Sequence, residues 1–302
     1  MSRKEHVMIK KLNQDVSVFY EHWQAKEAEK GVVLLVHGMA EHIMRYNEFA
    51  TYLSNSGYHV YGYDQRGHGK TAGSVDNLGY FGPGGWHAVV EDVKDMAAFI
   101  RETHECPVYL FGHSMGSFVS RDFASKYSHM IDGLILSGTG YKSGLTGQIM
   151  IGLASLQTAL RGPKYPSKLI SGMSNNVFNS KFKPLRTEFD WLSIDETNVD
   201  TYINDPYCGT VFSSSFYKDL FTAVERVNKE DRVLNIRHDL PIHIFSGEDD
   251  PVGGHGDGVK KVYKLFSKHD VSMKLYKGRH EMLNEDNKDQ VYKDILEWLD
   301  TK

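Results

Sequence analysis

The chain predicts an α/β protein: an open, mostly parallel sheet with helices on both faces and an inserted, mainly helical cap. Three observations carry that expectation. Solidly apolar, β-rich runs recur as "GVVLLVHG", "YHVYGYD", "PVYLFG", "DGLILSG" and "LPIHIFSG", the pattern of strands buried on both faces. Segments with apolar residues at helical spacing lie between them, and strand alternating with helix means a parallel sheet covered on both sides. The stretch from about Tyr141 to Val227 breaks the rhythm and holds no such strand.

In chain order, "HVMIKKL" and "VSVFYEHW" read as a hairpin ahead of the first buried strand. Phe49 to Leu53, Trp86 to Arg101 and Phe118 to Tyr127 are spaced as helices. "VSMKLY" is a weaker, final strand. Gln290 to Leu299 then places Val291, Ile295, Trp298 and Leu299 on one helical face. The interruption contains "IMIGLASLQTAL" and "WLSIDETNVDTYINDPYCG" and is too long for a simple connection. It is expected to be a cap over residues 141–227, with residues 1–140 and 228–302 forming the core. A chain of 302 residues suits one large domain with such an insertion.

Bulk properties exclude several classes of function. A net charge of −4 and no long basic run argue against a nucleic-acid binder. No stretch approaches the roughly 18 apolar residues of a membrane helix, and "MSRKEHVMIKKLNQ" lacks the apolar centre of a signal peptide. Cys106 and Cys208 form neither a metal motif nor a disulfide framework. These features lead to the expectation of a cytoplasmic protein with free thiols. A peripheral membrane contact through the cap stays open, although the cap shows no strongly amphipathic helix with a wide apolar face.

"YLFGHSMGSF" carries the first chemical signal. Ser114 stands between Gly112 and Gly116 in G-x-S-x-G, after a buried strand and before a helix, the context of a nucleophile elbow. The tight turn needs small residues two positions either side and exposes the hydroxyl at a helix N-terminus. Serine needs an oriented base to act. On this architecture the acid and then the histidine follow the serine along the chain. "SGEDDPVGG" offers Glu248, Asp249 and Asp250 at the carboxyl end of a core strand, where sites form in open sheets. "YKGRHEML" supplies His280 after the last strand. Two backbone donors should hold a developing oxyanion. They are expected to be the N–H of Met115, next to the serine, and the N–H of Met39, in the loop after "VVLLVHG".

Together "HGMAEHIMRY", "YDQRGHGKT", "GHSMGS", "SGEDDPVG" and "GRHEMLNE", spread over Val33 to Glu285, resemble the monoacylglycerol lipase and lysophospholipase branch of the α/β-hydrolases, often labelled with the serine aminopeptidase domain. The resemblance implies the α/β-hydrolase fold and esterase or lipase chemistry without metal or organic cofactor, on a small-molecule or lipid ester. Its spacing puts the acid immediately before Pro-Val, at Asp250, and makes Ser114, Asp250 and His280 the catalytic set. It also makes Glu41 and Arg45, with His113 beside the serine, candidates for binding a polar head group. His68 in "DQRGHGKT" reads as structural. Two alternatives use the same chain. One is a proline iminopeptidase-like enzyme that would need cap carboxylates for a substrate ammonium, with Glu188, Asp190, Asp195 and Glu196 on offer. The other is a non-catalytic ligand-binding member of the fold.

Overall fold

A computed structural model describes residues 8–12, 16–141 and 145–302, with Met8–Lys11 described by backbone alone. The first two residues of the predicted opening strand, His6 and Val7, lie outside the described residues. So do residues 13–15, where the hairpin turn is expected, and residues 142–144, where the expected cap begins.

The hairpin forms from β1 (Met8–Lys11) and β2 (Ser17–Trp23), paired antiparallel. Then follow β3 (Gly31–Val36), α1 (Asn47–Asn55), β4 (Tyr58–Tyr63), α2 (Gly85–Thr103), β5 (Val108–His113), α3 (Met115–Tyr127) and β6 (Gly133–Ser137). Five helices come next: α4 (Leu145–Arg161), α5 (Lys168–Phe178), α6 (Glu196–Asn204), α7 (Ser214–Val227) and α8 (Glu230–Leu234). The chain closes with β7 (Ile242–Gly247), α9 (Asp257–Leu265), β8 (Val271–Tyr276) and α10 (Lys288–Asp300). Among the described residues eight strands make one sheet in the order β1-β2-β4-β3-β5-β6-β7-β8. β2 meets β4 antiparallel, and every pairing from β4 through β3 to β8 is parallel.

β3 shows why its sequence is apolar throughout. All six residues are buried. Val32, Leu34 and Val36 join one core cluster, with Val89 and Val93 of α2, Val119 and Phe123 of α3 and Val259 of α9. Val33 and Leu35 join the other, with Phe49 and Leu53 of α1 and Val291, Ile295 and Leu299 of α10. Side chains alternate across a strand, so a sheet with helices on both faces needs an apolar residue at every position.

The helices between β6 and β7 depart from one expectation. α4 has no single apolar stripe because it is apolar on two sides. Met150, Leu153 and Ala154 pack inward, while Leu145, Ile149, Leu156 and Leu160 are exposed. On α5, Leu169, Met173 and Val177, four residues apart, are exposed as well. The segment therefore does present apolar faces, which periodicity alone conceals when both sides of a helix are apolar. Among the described residues no helix is long and apolar enough to cross a membrane.

Candidate active site

Ser114 links the end of β5 to the start of α3 with φ 52° and ψ −119°. A non-glycine residue holds such a conformation only where its surroundings enforce it, at a cost on the order of 1–3 kcal/mol. Here the enforcement is close packing. A Cβ on Gly112 would lie 2.4 Å from the carbonyl oxygen of Gly116, and one on Gly116 would lie 2.1 Å from that of Val36. The Ser114 N–H donates to the carbonyl of Ser137 on β6 at 2.9 Å, while Ser117 N–H and Oγ donate back to the Ser114 carbonyl at 2.9 and 2.6 Å.

Asp250 and His280 lie on the loops after β7 and β8, and both side chains are buried. His280 Nδ1 is 2.9 Å from Oδ1 of Asp250. That same oxygen accepts the Val252 N–H at 2.8 Å, and Oδ2 accepts the Ser246 hydroxyl at 2.6 Å. Burial by itself would raise the Asp250 carboxyl; the charge of His280 and the hydrogen bonds from His280, Ser246 and Val252 outweigh it and hold it below the usual carboxylate value. Burial would lower His280, but the Asp250 carboxylate outweighs that and raises the imidazole above its ordinary value. The ring of His280 is wedged between His113, 4.7 Å away, and Trp191, 5.0 Å away. Glu248 and Asp249 are exposed on the same turn.

One cavity is lined by both Ser114 and His280. Met39 and Met115 line it too. Met115 opens α3, so its N–H is among those a helix leaves without an intrahelical partner. The 38–41 loop that carries Met39 is held by its neighbours. His37 sets its imidazole between the Gly38 carbonyl at 2.7 Å and the Gln65 N–H at 2.9 Å. Burial pushes that histidine down to about 3, so it stays neutral as a structural acceptor. Away from the serine the walls are mostly apolar and come largely from the stretch between β6 and β7, with Phe178, Phe189, Trp191, Tyr217 and Leu220.

The head-group candidates are largely occupied by one another. Oε1 of Glu41 accepts the Gly38 N–H at 2.6 Å and the Tyr46 hydroxyl at 2.8 Å. Oε2 accepts Arg45 at 3.0 Å. Arg45 also forks onto both oxygens of Glu281 at 2.6 and 2.7 Å and lies 5.0 Å from the Tyr202 ring. Burial alone would raise Glu281, but Arg45 and the Asn198 amide hold it well below the usual carboxylate value. Glu41 and Glu281 still line the cavity, and so does His113. His113 is pushed down to about 4, first by burial and then by His280, and its Nδ1 meets the Ser137 hydroxyl at 2.9 Å.

Glu281, Ser246 and Trp191 were not singled out from the sequence. Glu281 adjoins His280, but its partner Arg45 is 236 residues away, a pairing that no local pattern reveals. His68 is buried, with Nδ1 2.9 Å from the Arg66 carbonyl and its ring 4.9 Å from Phe212, a structural setting as expected. The four carboxylates considered for an ammonium site do not line the cavity. Asp190 accepts the N–H groups of Arg186 and Thr187, Asp195 caps α6 through the Thr197 N–H, and Glu188 accepts from Asn175. Glu196 is exposed.

Known proteins agree with this architecture. A family model described as serine aminopeptidase, S33 (Hydrolase_4), matches residues 27–287. The chain is 26% identical to a monoacylglycerol lipase of Mycolicibacterium smegmatis, over 94% of this chain and 93% of that one. It is 24% identical to the monoglyceride lipase of Homo sapiens, over 93% and 86%. Among solved structures it superposes with a TM-score of 0.91 on a thermostable carboxyl esterase of Bacillus coagulans in complex with glycerol, at 25% identity and 97% coverage of both chains. With fold, elbow and matched span in hand, the chain belongs to the serine aminopeptidase S33 hydrolase family, in the monoacylglycerol lipase branch of the α/β-hydrolases.

Proposed function

We propose that this hydrolase cleaves carboxylic esters with a single acyl chain, monoacylglycerols first and lysophospholipids second, through an acyl-enzyme on Ser114. The observation that carries the reading is the buried Asp250–His280 pair at 2.9 Å, with His280 and a strained serine lining one mostly apolar cavity. His280 Nε2 takes the proton of the Ser114 hydroxyl as Oγ attacks the ester carbonyl. The N–H groups of Met39 and Met115 receive the oxyanion, a contribution worth on the order of a hundredfold or more per donor. The imidazolium then returns its proton to the departing alcohol. Water, deprotonated by the same nitrogen, attacks the acyl-enzyme and releases the acid and the free serine. Asp250 fixes the imidazole tautomer and stabilises its charged form.

The segment over residues 141–227 serves as a cap in this reading. Its aromatic and aliphatic wall suits an acyl chain, while the Glu41–Arg45–Glu281 cluster sits at the polar end. Arg279 and Glu285 tie that segment to the loop carrying His280. Arg279 Nη1 donates to the Ser193 carbonyl at 3.0 Å, and Glu285 accepts the Ser193 hydroxyl at 2.8 Å. The relatives named as monoglyceride lipases support the choice of substrate. The engagement of the cap carboxylates elsewhere favours esters over amino-terminal peptides. Turnover of monoacylglycerols of graded chain length, of lysophosphatidylcholine and of prolyl p-nitroanilide tests it. The reading expects the glycerol esters to be the best substrates and the anilide to be inert; preferred cleavage of the anilide would overturn it.

A further inference from the structure

Ser114 follows the carboxyl end of β5, so the cavity lies at one edge of the sheet. The opposite edge, where β4 and β5 begin, gathers a different set of donors. Glu29 lies in the turn between β2 and β3, His59 is the second residue of β4, and His104 and Cys106 lie between α2 and β5. Oε1 of Glu29 is the hub: it stands 2.8 Å from His104 Nδ1, 3.0 Å from Cys106 Sγ and 3.9 Å from His59 Nε2. A second trio overlaps the first, with donor atoms of His22, His59 and His104 all within 4.8 Å of one another.

The donor types and spacings suit a borderline-soft divalent ion. Tetrahedral zinc binds nitrogen at about 2.0 Å and sulfur at about 2.3 Å, which sets neighbouring ligand atoms roughly 3.3–3.8 Å apart. The Glu29 contacts at 2.8 and 3.0 Å need to open by only a few tenths of an ångström, and the donor atoms of Glu29, His104 and Cys106 all lie within 4.8 Å of one another. An outer layer is present as well. Nε2 of His104 meets the Tyr61 hydroxyl at 2.9 Å, and Nδ1 of His59 is 3.0 Å from Nε2 of His22. The second nitrogen of His104 is thus held, with the His59 and His22 pair packed beside it, the arrangement that orients a ligating histidine. Burial lowers His59 and brings His22 down to about 4, so both rings are neutral near pH 7. Burial and the Glu29 carboxylate push the Cys106 thiol up to about 12, so metal binding there would release a proton, because a coordinating thiol is deprotonated by the ion.

We propose that Glu29, His104 and Cys106 form a three-ligand site for a divalent transition-metal ion, zinc being the best match, which staples the turn before β3 to the segment before β5 at the edge opposite the active site. None of the three lines the cavity at Ser114, so the role is structural. His42, Asp205 and Cys208 form another trio elsewhere and provide an internal comparison.

The test uses the full chain stripped with chelator and titrated with Co²⁺, then with Zn²⁺ in competition. The expected result is one equivalent of Co²⁺ with a sulfur-to-cobalt charge-transfer band, displaced by Zn²⁺. Saturating Zn²⁺ should raise Tm by roughly 2–6 °C and leave p-nitrophenyl ester turnover unchanged. Cys106→Ser should abolish the band, Glu29→Gln, at an exposed position, should weaken Co²⁺ binding at least about tenfold, and Cys208→Ser should leave both as they were. No Co²⁺ binding by the folded wild type would overturn the proposal. So would a band that survives Cys106→Ser or disappears with Cys208→Ser, or an affinity indifferent to Glu29→Gln.

Discussion

Nδ1 of His280 and Oδ1 of Asp250 lie 2.9 Å apart, with 2% and none of the two side chains exposed to solvent. The neighbouring Asp249 is exposed. Asp250→Asn would offer the imidazole an amide in place of the charge and release its tautomer, so kcat should fall about 10³–10⁴-fold. Asp249→Asn should leave kcat near wild type. Steady-state kinetics on a soluble ester compares the two, and the reverse pattern would move the acid by one residue.

The same pair sets the pH dependence. In the proposed mechanism His280 acts as a base only when neutral, and Asp250 raises it above its ordinary value of 6.5. The profile of kcat/KM should therefore rise with pH through an inflection above 6.5, and Asp250→Asn should move that inflection down. Stability has its own signs. A raised histidine contributes fully below 6.5, and its contribution is lost as pH rises through its folded value. The depressed Asp250 contributes above 3.8, and its contribution is lost as pH falls through its folded value. Denaturant midpoints measured across pH check both.

Arg45 lies between two buried carboxylates, Glu41 and Glu281, and its own side chain is 8% exposed. Arg45→Met would strand two charges, which should destabilise the protein by about 3–5 kcal/mol. Glu41→Gln should have a distinct kinetic effect, because Glu41 accepts the N–H of Gly38 in the loop that carries Met39. It should lower kcat more than it alters KM, as an interaction that matters chiefly in the transition state does.

The exposed stripe of α4 makes a prediction about surfaces. Exposed apolar patches mark contact sites. Replacing Ile149 and Leu156 together by Glu should reduce sedimentation with phosphatidylcholine vesicles and turnover of emulsified monoacylglycerol. Turnover of a water-soluble ester should stay near wild type.

Much of the fold was legible because buried parallel strands leave no choice of residue. β3, β5 and β7 are buried at every position. The tight turn at Ser114 was legible for a related reason: close packing at Gly112 and Gly116 dictates the motif. α9 was missed. Lys260, Lys261 and Lys264 dominate its sequence, and its buried side is little more than Val259 and Val262. The exposed side of α4 was missed because its apolar residues do not segregate to one face. The Glu41–Arg45–Glu281 cluster and the Glu29–His104–Cys106 cluster are assembled by tertiary packing from distant segments. Spacing rules for metal or ion-pair motifs do not reach such assemblies.

The most direct measurement for the central claim is intact-mass and peptide mapping of the folded chain after reaction with a fluorophosphonate, alongside hydrolysis of a monoacylglycerol. A single phosphonyl adduct on Ser114, absent together with turnover in Ser114→Ala, is the predicted result. A folded protein that takes no adduct at Ser114, or that still hydrolyses the ester after Ser114→Ala, would contradict it.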